Sequence, residues 1–206
     1  MYQQPQPQQG SGSMLAEPVL VVNQKLKLVE LRNEYHVFDQ HGRPAGTVQQ
    51  AKQSPLAFLL RLFSDLDVAL PITLHFVNAA GQVELVLHKP WFRWVCSVRH
   101  PSGAELGTIA KQLRLGKARF RLADPGGRPL GEVRAENWRA KDFAVLDAAG
   151  QEVARVTKKW AGLRELFTDA DNYVVQVSPA LGDPLRSLAV ASCLAVDVIM
   201  KQKDSG

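Results

Sequence analysis

The sequence predicts a mainly β protein: an antiparallel barrel closed around one C-terminal helix. Three observations carry that expectation. Short apolar runs recur in pairs across glycine-containing turns, which is the signature of antiparallel hairpins. The last three of these turns are separated by about 23 residues, so the hairpin repeats. The chain then closes with residues 183–203, a helical segment that is apolar on nearly every side. A helix with no wet face needs burial all round, and a sheet rolled into a barrel supplies it.

The composition suits one such domain. The 206 residues suffice for one large domain or two small ones. A formal net charge of +5 and a pI near 9.4 favour anionic partners: acidic lipid, phosphate or nucleic acid. Two cysteines, Cys96 and Cys193, make no disulfide framework. The N-terminus shows no basic stretch followed by an apolar one, so the expected location is cytoplasmic.

Residues 1–14 are rich in Gln, Pro, Gly and Ser and read as a disordered tail ahead of a single domain at 15–206. Strands follow at 19–22 and 26–31. Hairpins are then expected at 35–50 around Gly42, 74–87 around Gly81 and 96–109 around Gly103. Two more follow at 118–133 around Gly126 and Gly127, and at 143–156 around Gly150. Residues 54–67 interrupt the pattern. Ser54 and Pro55 make a helix start, and Leu56, Leu59, Leu60, Phe63 and Leu66 recur at helical spacing. That helix carries only Arg61 against Asp65 and Asp67, so it reads as packed on the barrel rather than laid on a membrane. A β-like run at 174–177 precedes the final helix.

That helix opens with Asp183 as a cap and Pro184 at the first helical position, and it ends with Lys201 and Lys203. Its unbroken apolar run is about 13 residues, whereas a membrane span needs about 20. Asp197 also counts against lipid, at roughly 2.5–3.5 kcal/mol near a bilayer centre. The segment therefore reads as a core helix. Leu188, Cys193, Leu194 and Asp197 lie inside the barrel, with Cys193 an inert core thiol. Asp197 then requires a hydrogen-bond partner or a place near the barrel mouth.

Residues 166–173, Leu-Phe-Thr-Asp-Ala-Asp-Asn-Tyr, followed by the greasy helix, resemble the phospholipid scramblase and LURP-one-related families. The hairpin from Tyr35 to Gly46 is similar to an early turn of those families, and the likeness covers nearly the whole chain after the tail. The chain reads as a bacterial member. The resemblance implies the Tubby C-terminal-like fold, a closed barrel of about twelve strands around a central hydrophobic helix. It also implies binding of anionic phospholipid and movement of phospholipid between leaflets. The family's acidic segment is proposed to bind calcium, and Asp169 and Asp171 are the matching positions. This is not an EF-hand, because Val174 and Ala180 stand where that loop needs Gly and Glu. Asp169 and Asp171 as turn-shaping side chains is the other reading.

The remaining chemistry points to binding rather than catalysis. His36, His41, His75, His88 and His100 are scattered, and no nucleophile elbow or phosphate loop occurs. The expectation is not an enzyme, and no cofactor beyond calcium is implied. Positive charge is better organised. Lys111, Arg114, Lys117, Arg119 and Arg121 crowd one hairpin, with Arg119 and Arg121 on one face and Phe120 and Leu122 on the other. Arg134, Arg139 and Lys141 form a second group near Trp138. Arg155, Lys158 and Lys159 form a third beside Trp160. Lys111, Arg114, Lys117, Arg119, Arg121, Lys158 and Lys159 are the candidate ligands for an anionic headgroup, at the inner face of the plasma membrane. A solvated barrel exterior is the bland alternative. Trp91 and Trp94 alternate as in a strand with one aromatic face packed inside; an interfacial anchor is the other reading. A soluble scaffold or ligand-binding barrel, or a nucleic-acid-binding protein, are the alternative functions.

Overall fold

The computed structural model describes residues 12–24, 34–51, 71–91, 93–113, 115–137, 142–157 and 172–200. The strand expected at 26–31, the helix at 54–67 and the segment 163–171 lie outside the described residues. So do most of the expected tail and the basic residues Arg139, Lys141 and Lys201.

Among the described residues, twelve antiparallel strands close into a barrel. In order they are β1 (Val19–Gln24), β2 (Glu34–Asp39), β3 (Pro44–Gln50), β4 (Ile72–Asn78), β5 (Val83–Lys89) and β6 (Val95–Arg99). There follow β7 (Glu105–Lys111), β8 (Arg119–Ala123), β9 (Pro129–Ala135), β10 (Asp142–Asp147), β11 (Glu152–Thr157) and β12 (Asn172–Val177). Each strand pairs with its neighbours in sequence. β12 then closes on β1, with Val22 opposite Tyr173 and Leu20 opposite Val175. Among the described strands, closure leaves no open edge to pair with another chain.

The five expected hairpins all form, and they share one turn. In each, a polar residue ends or directly follows the first strand and a glycine of positive φ stands three residues later: Gly42, Gly81, Gly103, Gly127 and Gly150. The side chain of the first residue accepts from backbone amides ahead of it. Asp39 Oδ1 takes the amides of His41 and Arg43 at 2.8 and 2.9 Å. Asn78 does the same for Ala80 and Gln82, and Asp147 for Ala149 and Gln151. Asp124 accepts from Arg128, and His100 Nδ1 from Ser102. Such side chains mimic a backbone turn. A register shift follows each turn, as at Val98/Arg99 and Leu122/Ala123. These bulges raise twist and help the sheet curl into a barrel. Glycine is needed again just after three of the turns. A Cβ on Gly46, Gly107 or Gly131 would lie 2.1–2.3 Å from the carbonyl oxygen of a neighbouring strand.

Alternation along the strands sends one row inward, including Phe76, Leu85, Val98, Ile109, Phe120, Val133 and Val175, all essentially without exposure. That row surrounds the helix α1 (Leu185–Met200). Every residue from Ser187 to Val196 is buried, so Leu188, Cys193 and Leu194 take the core places expected of them. Burying a leucine fully contributes roughly 1.5–3 kcal/mol. The one hydroxyl at the centre, Ser192, is satisfied within the helix by the Ala189 carbonyl at 2.6 Å. The helix starts at Leu185, one residue later than expected, but Asp183 still caps it: Oδ1 accepts from the Ser187 amide and hydroxyl at 3.0 and 2.7 Å. The core reaches back to Met14, which is 1% exposed in a short 3-10 turn.

The barrel thus has two different ends. All five tight turns lie at one, the turn end. β12 runs toward it, so α1 enters there and runs back toward the other, the loop end. At the entry Arg186 gathers carbonyls from both sides of the seam. Its guanidinium donates to Leu15, Ala16 and Glu17 before β1, and to Ser178 and Leu181 after β12.

Candidate functional site

The loop end collects the side chains that the turn end lacks. Described residues there come from 51, 71, 90–91, 93–94, 112–113, 115–118 and 136–137 and from the adjoining strand ends.

On the helix, Asp197 is half-buried and faces the start of β12, where Tyr173 donates its hydroxyl to Oδ1 at 2.7 Å. The partner and the mouth-side place expected for this carboxylate are therefore both present. Burial first, and the Asp197 charge second, push the phenols of Tyr173 and Tyr35 well above their usual value near 10. Cys193 is pushed up to about 12, chiefly by burial, and Cys96 likewise. Both thiols are buried and stay protonated at neutral pH.

Lys89 continues the inward row of Leu85 and Leu87 and is only 2% exposed. Burial lowers the pKa of its ammonium, while nearby Cys96 acts in the opposite direction. The sequence reading missed it, although the alternation through Leu85 and Leu87 pointed inward at this lysine.

The basic residues divide. Arg119 and Arg121 point outward and Phe120 and Leu122 inward, as the alternation predicts. Lys117, Arg119 and Arg134 line an open cleft of about 520 Å³, together with Leu115, Gly116 and Glu136. Arg134 belonged to a different group in sequence, and the pairing of β8 with β9 sets it opposite Arg119. Lys117 Nζ donates to the Glu136 carbonyl at 2.6 Å, Arg119 lies 3.5 Å from Glu132, and Arg134 lies 3.2 Å from Glu136. Lys111 stands over the Trp94 ring, 5.1 Å from its centre. Two other arginines are turned elsewhere. Arg121 donates to the Gly127 carbonyl at the turn end, and Arg155 is held by Asp142 and Glu152 at 2.8–3.1 Å. Arg114, Lys158 and Lys159 lie outside the described residues.

The two tryptophans depart from the packed-inside reading. Trp91 falls in the turn after β5 and Trp94 in the bend before β6, and they are 46% and 44% exposed. Pro90 and the turn end the strand at Lys89, and positions three apart would in any case fall on opposite faces of a strand, so alternation could not carry both rings inside. Exposed beside them are Leu113 and Leu115.

Asp169 and Asp171 lie outside the described residues. Among the described residues, no group of three or more His, Cys, Asp or Glu side chains is placed to hold a metal ion. Among them too, no helix is long and apolar enough to cross a membrane.

A twelve-stranded closed barrel around a buried C-terminal helix is the Tubby C-terminal-like fold. An Arabidopsis thaliana protein solved by X-ray crystallography superposes with a TM-score of 0.50 at 16% identity, covering 90% of this chain and 96% of that one. The family model Scramblase matches residues 2–201, and this chain belongs to that family. It is similar to the yeast (Saccharomyces cerevisiae) altered inheritance rate of mitochondria protein 25, at 24% identity over 80% of this chain and 59% of the relative. It is also similar to human phospholipid scramblase 2, at 33% identity over 30% of this chain and 22% of the relative. The chain thus spans less than two thirds of the length of either curated relative.

Proposed function

We propose that this chain binds anionic phospholipid at a bilayer surface through the loop end of its barrel, and that it acts there on the movement of phospholipid between leaflets. The observation that carries the reading is the cleft holding Lys117, Arg119 and Arg134, in a chain of the scramblase family. Arg119 and Arg134 pair there with the Glu132 and Glu136 carboxylates while Lys117 donates to the Glu136 backbone carbonyl, and both arginine side chains keep more than a third of their surface open to a phosphate. A basic residue near an anionic membrane contributes roughly 1 kcal/mol. The helix that looks most like a membrane anchor is occupied as the barrel core, which supports action from the surface over a lipid path along α1.

Flotation on phosphatidylcholine vesicles with and without phosphatidylserine tests the binding. Wild type is expected to float with the acidic vesicles at low salt. Lys117→Gln, Arg119→Gln and Arg134→Gln together should lower that binding by about tenfold or more. A wild type that ignores acidic vesicles at low salt refutes the proposal. Dithionite quenching of labelled lipid in proteoliposomes reads the transport step, and quenching no greater than in empty vesicles removes it.

A further inference from the structure

Among the described residues, the exposed large hydrophobic side chains are Trp91, Trp94, Leu113 and Leu115. Single exposed leucines or tryptophans are ordinary on a protein surface. Here all four fall in two connections, β5–β6 and β7–β8, at one end of the barrel. The connections are neighbours, since β6 pairs with β7 and the Lys111 amide donates to the Trp94 carbonyl at 2.9 Å. Lys111 bridges them again through its contact with the Trp94 ring. Leu115 also borders the cleft that holds Lys117, Arg119 and Arg134. The opposite end is built differently: its turns carry Asp39, Asn78, His100, Asp124 and Asp147, and no large apolar side chain is exposed there among the described residues.

From this we infer that the β5–β6 and β7–β8 connections form a wedge that inserts Trp91, Trp94, Leu113 and Leu115 into the headgroup–acyl boundary of an anionic bilayer. The inference rests on the lipid-binding function proposed above and gives it an orientation. The barrel stands loop end down, with its polar turns facing water. The chemistry fits the occupant. Tryptophan is at home where one side is apolar and the other wet, and aliphatic tips gain from leaving water. The flanking cations complement an acidic surface, and Lys111 would keep its charge at headgroup level while its stem lies along Trp94. Electrostatics brings the protein to the membrane, and the apolar tips make the contact resistant to salt.

The test uses the buried state of Cys96 and Cys193, which leaves an introduced surface cysteine as the accessible thiol of the folded chain. An environment-sensitive fluorophore is attached to Leu115→Cys at the loop end or to Ala149→Cys at the turn end. Each protein is mixed with phosphatidylcholine vesicles with or without phosphatidylserine, alongside flotation and a dilution series without vesicles. The expected result is a blue shift with rising intensity for Leu115→Cys on acidic vesicles and none for Ala149→Cys. In addition, Leu113→Asp with Leu115→Asp should cut flotation at raised salt by about tenfold or more, since these exposed sites leave the core intact. Three results overturn the inference. If the protein floats but the Leu115 probe stays in a water-like environment, or both probes shift equally, the wedge is wrong while lipid binding stands. If the Leu115 probe shifts on concentration without vesicles, the tip is an interface between copies of this chain. If wild type does not float, the wedge fails together with the proposed function.

Discussion

Removing one hydroxyl tests how the polar group on the central helix is accommodated. Tyr173 is 2% exposed and donates to Asp197 at 2.7 Å. A hydrogen bond to a charged group contributes about 1.5–3 kcal/mol net. Asp197 is only half-buried, so water recovers part of what is lost, and Tyr173→Phe should cost about 1–2 kcal/mol. Urea denaturation of wild type, Tyr173→Phe, Asp197→Leu and the double variant reads that cost and the coupling between the two positions. A coupling of about 1 kcal/mol is expected for groups in direct contact. The pH dependence supplies a second measure. Both buried phenols titrate above 10 when folded, because burial and then Asp197 oppose their ionisation, whereas in the unfolded chain they titrate near 10. Their contribution to stability is therefore complete below pH 10 and is lost as pH rises from there toward the folded values. Tyr173→Phe should make stability fall less steeply above pH 10. Single effects that add within about 0.5 kcal/mol, with an unchanged alkaline slope, would refute the account.

Two further expectations concern the frame around that contact. Leu194 has no exposed surface at the middle of α1, so Leu194→Ala should cost about 2–5 kcal/mol by urea denaturation and Leu194→Asp should abolish folding. A folded Leu194→Asp protein, by circular dichroism and size-exclusion chromatography, would show that the helix does not fill the barrel. Gly107→Ala places a Cβ against the Ala123 carbonyl at 2.3 Å and near Leu188 at 3.2 Å, and should cost about 1–3 kcal/mol. An unchanged melting temperature would mean that β7 and β8 need not approach so closely.

Much of the fold was legible because its two strongest signals agree. Hairpins recurring around Gly81, Gly103, Gly127 and Gly150 call for a meandering sheet, and the all-round apolar run from Leu188 calls for an enclosure. Neither signal alone gives a closed barrel; together they leave little else. The site was less legible, because it assembles across strands. Arg119 and Arg134 share a cleft only through the register of β8 on β9, and sequence distance had put Arg134 in another group. Arg121 sits two residues from Arg119, yet its guanidinium reaches the turn end, where the Gly127 carbonyl receives it. Trp91 and Trp94 stand three residues apart, which a strand would put on opposite faces, and Pro90 and the turn had already ended β5 before them. Arg186 gave no local signal, since its partners before β1 lie about 170 residues away.

The closing of the barrel by β12 also sets the order in which this chain can become a protein. During synthesis β1 emerges before the other described strands, and its partner on the seam emerges after all of them. Until then β1 and the most recently made strand are both open edges, and the inward rows of Phe76, Phe120 and Val133 surround nothing. The hairpins can form one by one as they appear, because each is local, but the interior stays without its filling until α1 follows β12. Acquisition of the native state therefore waits on β12 and α1, the last of the described elements. A nascent barrel of this kind depends on whatever shields its open edges in the interval.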